Sequence, residues 1–498
     1  MRVSFDASSL TRPKLGSSLL SVPPSSVHVA IIDEHTKGVP GHIRGEEDHQ
    51  RRHSGRARSA LCELTGVPAA GAGNGAAVGR KDGSVTPDAT CTSNIEGGFV
   101  FGDRSGQLTE LMTSTTRRTQ SHTAKTRIAF VYDAVYPYII GGAERRYFEL
   151  AKRLSKKGYE PHLYGMKCWK GHAVIQREGI YLHGICPSKP LYTKDGRRSI
   201  WQAIYFGINC LKLIKEDFDI IDCCGFPYFS LFVCKLICLL RGKRLYSTWL
   251  EVWGARSWKE YLGTLAIFGI WVEKLCSKIP DAIIAVSEQT AIGIEQELGY
   301  RGPIYIVPNG IDFEAIGKIK PSLTKSDVIY AGRLMDFKHV DLLIKAVAVL
   351  KTNTHDIKCI IIGDGPEKDK LVDLTTDLGL QTNIEFIGFL KHHDDMYSYM
   401  KSSQVFVLPS TREGFGTVVL EANACGIPVI TTNHKDNASQ YLVNGKDGIV
   451  CGLDENEIAK SIMRFLKRNT SLTDGMNAAK SHDWNNITNQ IEAAYTYV

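Results

Sequence analysis

The sequence lacks any unbroken apolar run of roughly 18 residues, the length that a membrane-spanning helix needs. Its first 26 residues also lack the apolar core of a secretory signal. The thirteen cysteines are scattered, and none has the CxxC or Cys/His spacing of a metal site. We therefore expect no spanning helix, no bound metal and reduced thiols, which are typical of a cytoplasmic protein.

The sequence also lacks a strong excess of positive or negative charge, since the formal net charge is only +7 over 498 residues. Such a mildly basic chain suits a polyanionic ligand or an anionic membrane surface without requiring either. Residues 51–58 form a short basic run, RRHSGRAR, which is more typical of a solvated segment than of a nucleic-acid site. We expect no nucleic-acid partner. The length allows two or three domains.

Sustained hydrophobic periodicity is missing from residues 1–126, which are rich in Ser, Thr, Gly, Arg and Pro. This composition predicts a low-complexity, disordered N-terminal extension. Residues 71–76, GAGNGA, look like a dinucleotide-binding loop, but they follow no convincing strand and open no amphipathic helix. Low complexity is the better interpretation of that stretch.

The most informative stretch is residues 405–431, which read as strand, glycine loop, helix and strand. Residues 405–408 and 427–431 are short apolar runs typical of buried parallel strands. Residues 414–416, Gly-Phe-Gly, allow the backbone to bend closely around a ligand, and residues 417–425 follow as a helix. In such a unit the helix N-terminus lies at the carboxyl edge of the sheet, where it favours a phosphate group.

Two carboxylates, Glu413 and Glu421, bracket the start of this helix. At 1.5 Å per helical residue we expect them to lie roughly 8–12 Å apart, which is too far to serve one catalytic atom. Either one alone would be interpreted as a solvated charge. Together they suit a long ligand with hydroxyl pairs at both ends and phosphate between, because carboxylates accept hydrogen bonds from paired hydroxyls.

The spacing Glu413-x7-Glu421, the Gly-Phe-Gly between them and the following EANACGIPV resemble the signature of family 4 retaining glycosyltransferases. That resemblance implies an α/β protein of GT-B architecture, with two Rossmann-like domains facing each other across a cleft. It implies transfer of a sugar, with retention, from a UDP- or GDP-sugar to a hydroxyl acceptor in glycan, glycolipid or polysaccharide synthesis. The donor would be a co-substrate, and no metal or other cofactor is expected.

Under this resemblance the chain divides into four parts. Residues 1–126 are the extension, and residues 127–301 form an N-terminal Rossmann-like acceptor domain. Residues 302–480 form the nucleotide-sugar donor domain, and residues 481–498 are a final helix that crosses back to the first domain.

Arg333 and Lys338 lie between a predicted strand and the next helix, which is typical of an anion site. The resemblance implies that they neutralise the leaving diphosphate, that Glu413 holds the donor sugar and that Glu421 holds the ribose. The expected catalytic residues are Arg333, Lys338 and Glu413. The expected donor-binding residues are Gly141, Gly142, Gly332, Gly388, Gly414, Phe415, Gly416, Thr417 and Glu421.

The chain departs from the resemblance at Leu250, since relatives commonly carry a His just before the Glu that stands here at position 251. Two alternatives to an active transferase therefore stay open: a nucleotide-sugar-binding protein that has lost transfer, and an epimerase of the same fold. The EANACGIPV segment favours a transferase over the epimerase.

The acceptor stays open, as a carbohydrate or a lipid-linked molecule. The predicted helix at residues 229–240 is apolar and is followed by Arg241, Lys243 and Arg244. It is too short to span a bilayer, so it is either a core helix or a peripheral contact with the inner face of a membrane.

Overall fold

The structure is a computed structural model that describes residues 125–193, 197–352, 356–443, 446–467 and 473–496. The predicted disordered extension, including the glycine-rich stretch at residues 71–76, lies outside these ranges except for its last two residues. Within them, no helix is both long and apolar enough to cross a bilayer.

The first half is built on an eight-stranded sheet whose strands are short and largely buried, as their β-branched and apolar residues predict. The strands are β1 (Arg127–Val131), β2 (Glu160–Lys167), β3 (Val174–Arg177), β4 (Ile180–Pro187), β5 (Ile220–Cys224), β6 (Arg244–Trp249), β7 (Ala282–Ala285) and β8 (Ile304–Ile306). Their spatial order is β3-β4-β2-β1-β5-β6-β7-β8, and every pairing except β3 with β4 is parallel.

Helices cover both sides of this sheet. They are α1 (Gly142–Lys156), α2 (Ile200–Asn209), α3 (Phe229–Arg241), α4 (Gly254–Leu262), α5 (Ala266–Ser277) and α6 (Glu288–Gln296). The buried residues of α2, α3 and α5 share one core cluster, whereas those of α1 pack on the opposite side of the sheet. Helix α3 buries Leu231, Cys234 and Ile237, as the core-helix prediction requires, while Leu239 and Leu240 on its other side are exposed.

The second half is built on a six-stranded sheet in which every pairing is parallel, and its buried residues form a single core cluster. Its strands are β9 (Ser326–Ala331), β10 (Cys359–Ile362), β11 (Ile384–Gly388), β12 (Ser403–Leu408), β13 (Val429–Thr432) and β14 (Gly448–Cys451), in the order β11-β10-β9-β12-β13-β14. Its helices are α7 (Phe313–Lys318), α8 (Val340–Lys351), α9 (Lys368–Asp377), α10 (His393–Lys401), α11 (Thr417–Ala424), α12 (Glu455–Leu466) and α13 (Thr473–Ser481).

The strand order explains where a ligand can bind. In the second sheet the chain runs outward from β9 through β10 to β11, then returns to the other side of β9 at β12. A crevice forms where the order reverses, at the carboxyl ends of the strands. The chain after β9 carries Arg333, and the chain after β12 carries Glu413 and the glycine loop. The topology therefore brings two sequence-distant motifs to one edge.

The predicted α/β architecture with two Rossmann-like halves is confirmed. Strand β8 (Ile304–Ile306) pairs with β7 in the first sheet, so the division predicted after residue 301 falls one strand too early. A three-residue strand carries too little periodicity to be assigned to one sheet from sequence. The last helix, α14 (Trp484–Thr496), packs its buried residues against the first half.

Arg146 joins α1 to the segment that leads from the first sheet to the second. Its side chain is fully buried, and its guanidinium donates to the carbonyl oxygens of Val307 (2.9 Å) and Pro308 and to Asn309 Oδ1 (3.0 Å). Three acceptors of the crossing segment therefore depend on one side chain.

We predict that Arg146→Met, which keeps the side-chain volume but leaves these acceptors unpaired, lowers the free energy of unfolding by about 3 kcal/mol or more. Denaturant titration measures this. The matched control is Arg256→Met, which removes a surface pair with Glu260 and should change stability by about 0.5 kcal/mol or less. Equal effects of the two substitutions would contradict the role given to Arg146.

Candidate active site

A cavity of about 490 Å³ lies where the carboxyl ends of both sheets meet. Eleven of the twelve predicted site residues line it: Gly141, Gly142, Gly332, Arg333, Lys338, Glu413, Gly414, Phe415, Gly416, Thr417 and Glu421. The structure thus brings together residues that are as much as 280 positions apart, from Gly141 to Glu421. Their individual roles stay predictions.

Gly388 is the exception, because it does not line this cavity. It ends β11 with φ of +81°, a conformation that favours glycine, and the two residues that follow it, Phe389 and Leu390, form the wall. The turn of the backbone explains why a glycine stands at this position. The apolar side chains that follow it supply the surface that a ligand would touch.

The glycine loop before α11 is required by close packing. Gly416 is the N-cap of α11 with φ of +85°, and a Cβ there would lie 2.3 Å from Ser439 Cβ. A Cβ at Gly414 would lie 1.9 Å from the carbonyl oxygen of Leu250 in the first half. Because the loop residues and Thr417 line the cavity, the free N–H groups and dipole of the first helical turn are placed to attract an anion.

Lys338 and Glu413 form a direct ion pair, with side chains only 15% and 12% exposed. The sequence predicts that Lys338 serves a phosphate and Glu413 a sugar, and the structure places the two groups in contact. Arg333 instead stacks on Tyr192, with its guanidinium carbon 4.9 Å from the ring centre, and donates to the Tyr192 hydroxyl at 3.3 Å. The Arg333 side chain reaches both this cavity and the next one.

Glu421 is held by two groups that sequence reasoning missed. Its Oε1 accepts from Arg145 Nη1 at 3.2 Å and from the Tyr397 hydroxyl at 2.7 Å. Burial raises the pKa of Glu421, and the nearby Arg145 opposes that shift. Because both bonds fall on Oε1, Oε2 can accept from a ligand. Arg145 follows the Gly141-Gly142 pair by three residues, which is the one local signal that could have pointed to it.

Two further titratable side chains belong to this region. Burial raises the pKa of Glu144, in the first turn of α1, to about 7. Burial, reinforced by the charge of Arg145, lowers the pKa of His393 to about 4, so this cavity-lining imidazole is neutral near pH 7. Neither shift can be read from local sequence, since both depend on what covers the side chain.

Leu250 lines the cavity at the position where the resemblance implies a His. The site therefore presents an aliphatic side chain there, next to Glu251, and the one histidine among the residues that line this cavity is His393 on α10. This departure keeps the binding-only alternative open.

A second cavity of about 610 Å³ adjoins the first and shares Arg333, Lys338, Leu250 and Glu413 with it. Its remaining wall is rich in aromatic rings and guanidinium groups: Tyr192, Phe226, Tyr228, Trp253, Tyr261, Arg197, Arg198 and Arg412. Arg412 lies over the rings of Phe337 and Trp253, at 4.4 and 5.4 Å from their centres. Aromatic faces and fixed cations side by side suit a ligand that carries both sugar and phosphate.

Two family models match the chain over the residues that build these cavities. The model described as Glycosyltransferase Family 4 matches residues 140–315, and the model described as Glycosyl transferases group 1 matches residues 312–482. Together they cover both Rossmann-like halves. The chain belongs to the family 4 glycosyltransferases of GT-B fold.

Curated relatives each match part of this chain. The N-acetylgalactosamine-N,N'-diacetylbacillosaminyl-diphospho-undecaprenol 4-alpha-N-acetylgalactosaminyltransferase of Campylobacter jejuni is 34% identical over 166 residues, 32% of this chain and 44% of that protein. The capsular polysaccharide biosynthesis glycosyltransferase CapM of Staphylococcus aureus is 31% identical over 210 residues, 39% of this chain and 54% of that protein. The chain thus spans about half the length of these relatives.

Solved structures show the same fold at lower identity. Sucrose-phosphate synthase of Thermosynechococcus elongatus superposes with a TM-score of 0.62 at 19% identity, over 75% of this chain and 98% of that chain. HepE of Anabaena, solved with UDP and glucose, superposes with a TM-score of 0.59 at 20% identity, over 75% and 100% of the two chains. At these identities the likeness establishes the architecture alone.

The raised pKa of Glu144 predicts a pH dependence of stability. Between its ordinary value of 4.5 and about 7, the folded chain keeps a proton that the unfolded chain releases. The contribution of this protonated carboxyl to the free energy of unfolding is therefore fully present below pH 4.5 and is lost as the pH rises through about 7. Glu144→Gln should abolish this loss. As the pH rises from 4.5 through about 7, the free energy of unfolding of the variant should therefore increase by on the order of 3 kcal/mol relative to that of the parent. Parallel curves of unfolding free energy against pH would contradict it.

Proposed function

We propose that this chain is a retaining glycosyltransferase that moves a sugar from a nucleotide diphosphate sugar to the hydroxyl group of an acceptor. The observation that carries the proposal is the single cavity in which Arg333, Lys338, the start of α11 and Glu421 converge. A diphosphate needs cations and N–H donors, and a ribose needs a carboxylate. This cavity supplies all of them.

The chemical difficulty in such a transfer is the negative charge that builds on the diphosphate as its bond to the sugar breaks. Arg333, Lys338 and the N–H groups at the start of α11 are pre-positioned cationic and dipolar groups, which stabilise developing charge without reorganisation. Because these protein groups can neutralise the diphosphate, we propose no requirement for a metal ion. Glu413, held by Lys338, would orient the donor sugar.

At the other end of the donor, Glu421 Oε2 would accept from the ribose hydroxyls. The bonds from Arg145 and Tyr397 to Oε1 fix the carboxylate before a ligand arrives, which lowers the ordering cost of binding. The nucleotide is proposed to be UDP or GDP. The complex of HepE with UDP and glucose supports UDP as the first nucleotide to test.

The acceptor is proposed to be lipid-linked and to bind in the second cavity. That cavity adjoins the donor cavity, so a hydroxyl bound there can approach the donor sugar. Its aromatic rings can stack on sugar faces, while Arg197 and Arg412 can pair with phosphate oxygens. The printed name of the Campylobacter relative includes a diphospho-undecaprenol carrier, which supports this class of acceptor.

Leu250 favours one rival function, a nucleotide-sugar-binding protein without transfer activity. The two functions differ in one observable, because a binder holds the donor without releasing nucleotide. Leu250→His then separates them further: a silenced site should gain activity from the restored imidazole, whereas an active site should not depend on it.

We predict that purified protein slowly releases nucleotide from one of a panel of UDP- and GDP-sugars without acceptor, and that Arg333→Ala reduces the rate by about 10²–10³-fold. Calorimetry should show a smaller loss in donor affinity, because the charge on the diphosphate grows during the reaction.

Arg256→Ala is the control, since Arg256 is 65% exposed on its side chain and lies outside both cavities. Donor binding without release would favour the binding protein. No binding of any donor would contradict the assignment of the cavity.

A further inference from the structure

One outer surface of the first half exposes an unusual density of apolar side chains. Eight large apolar side chains in the described ranges are more than 60% exposed, and six of them lie on α2, α3 and α5. They are Trp201 (81%), Leu239 (69%), Leu240 (65%), Ile267 (69%), Phe268 (64%) and Trp271 (64%). We refer to these six residues as the apolar face.

The three helices stand on the same side of the sheet. Each buries its inner residues in one shared core cluster, which includes Phe206 of α2, Ile237 of α3 and Cys276 of α5. Helix α5 is also tied to the start of α3, because the Tyr228 hydroxyl donates to Glu273 at 3.0 Å. Because the inner sides of all three helices pack into this one core, their outer sides face solvent on the same side of the sheet.

The exposed charge on these elements has one sign. Helices α2, α3 and α5, with the 3₁₀ helix Cys210–Lys215 that continues α2, carry five cations: Lys212, Lys215, Lys235, Arg241 and Lys274. The one acid within these four ranges is Glu273, which is fully buried and accepts from Trp258 Nε1 at 2.8 Å. Lys235 pairs with Asp281 at the edge of this region, so the excess positive charge comes mainly from the other four.

We propose that the apolar face rests on the surface of an anionic lipid bilayer. Clustered exposed apolar side chains mark interaction sites, and helices whose exposed charges are all cations are complementary to anionic headgroups. Tryptophans are favoured at the headgroup level, and two of the six residues of the apolar face are Trp201 and Trp271. Lysine and arginine stems can lie along the apolar surface while their charges reach the phosphates.

This mode of attachment agrees with the lengths of the helices. Helices α3 and α5 have 13 and 12 residues, too few to span a bilayer, and the inner side of each is already packed. Such helices lie in the interface plane with the outer side a few ångströms deep. The helix before α5 is α4, whose residues Ser257 and Tyr261 line the second cavity. Attachment would therefore bring one wall of that cavity close to the lipid surface.

The experiment is co-sedimentation of the full chain with vesicles of phosphatidylcholine, with and without phosphatidylglycerol. The proposal predicts binding to the anionic vesicles, weaker binding to the neutral ones, and weakening by salt. The double variant Phe268→Glu/Trp271→Glu should lose at least about tenfold in partitioning, because each glutamate places a charge where the bilayer surface would be. Both positions are exposed, so folding is not expected to suffer.

The matched control is Leu323→Glu/Tyr441→Glu, which alters the two remaining highly exposed apolar side chains of the described ranges. It should bind vesicles like the parent chain. The proposal is overturned if the parent chain stays in the supernatant with both vesicles, or if the control loses as much binding as the test variant. It is also overturned if the parent is a dimer that the test variant dissociates while neither binds vesicles, since a second copy then covers the face. None of these outcomes depends on transferase activity.

Discussion

Two consecutive arginines on α1 hold the two Rossmann-like halves in the arrangement on which the site depends. Arg145 reaches across to Glu421 and Tyr397 in the second half, and Arg146 donates to the segment that joins the sheets. Neighbouring residues on a helix point about 100° apart, so one turn can serve two different partners. The Gly141-Gly142 loop that starts this helix thereby has its position fixed relative to α11.

The same contacts connect binding to domain arrangement. Glu421 lies in the donor cavity and is also the carboxylate that Arg145 of the other half contacts, so a ligand at Glu421 acts on a bond between the halves. Gly414 adds a second connection, because its carbonyl oxygen accepts from the Ser287 hydroxyl at 2.8 Å. Closure over a donor is an expected property of two domains joined in this way. The buried charges make these contacts costly to leave unpaired.

Residues 405–431 predicted the glycine loop and its neighbouring strands because those features depend on local spacing, and the structure places the loop at the expected sheet edge. Arg145 and Tyr397 were missed because they reach Glu421 from other helices, and no local periodicity encodes such a contact. Gly388 was predicted to bind the donor from the family resemblance; the structure places it at a backbone turn directly before Phe389, which lines the cavity, and its role stays a prediction. The raised pKa of Glu144 depends on burial by distant parts of the chain, which spacing cannot reveal.

These contacts lead us to propose that one nucleotide diphosphate site is built jointly by both halves. Hydrogen–deuterium exchange with and without saturating UDP, and then GDP, tests it most directly. A shared site predicts that one of them slows exchange in two separate segments, residues 141–146 at the start of α1 and residues 413–421 around the start of α11. Protection confined to one half, or none in either segment despite measured binding, would contradict a shared site.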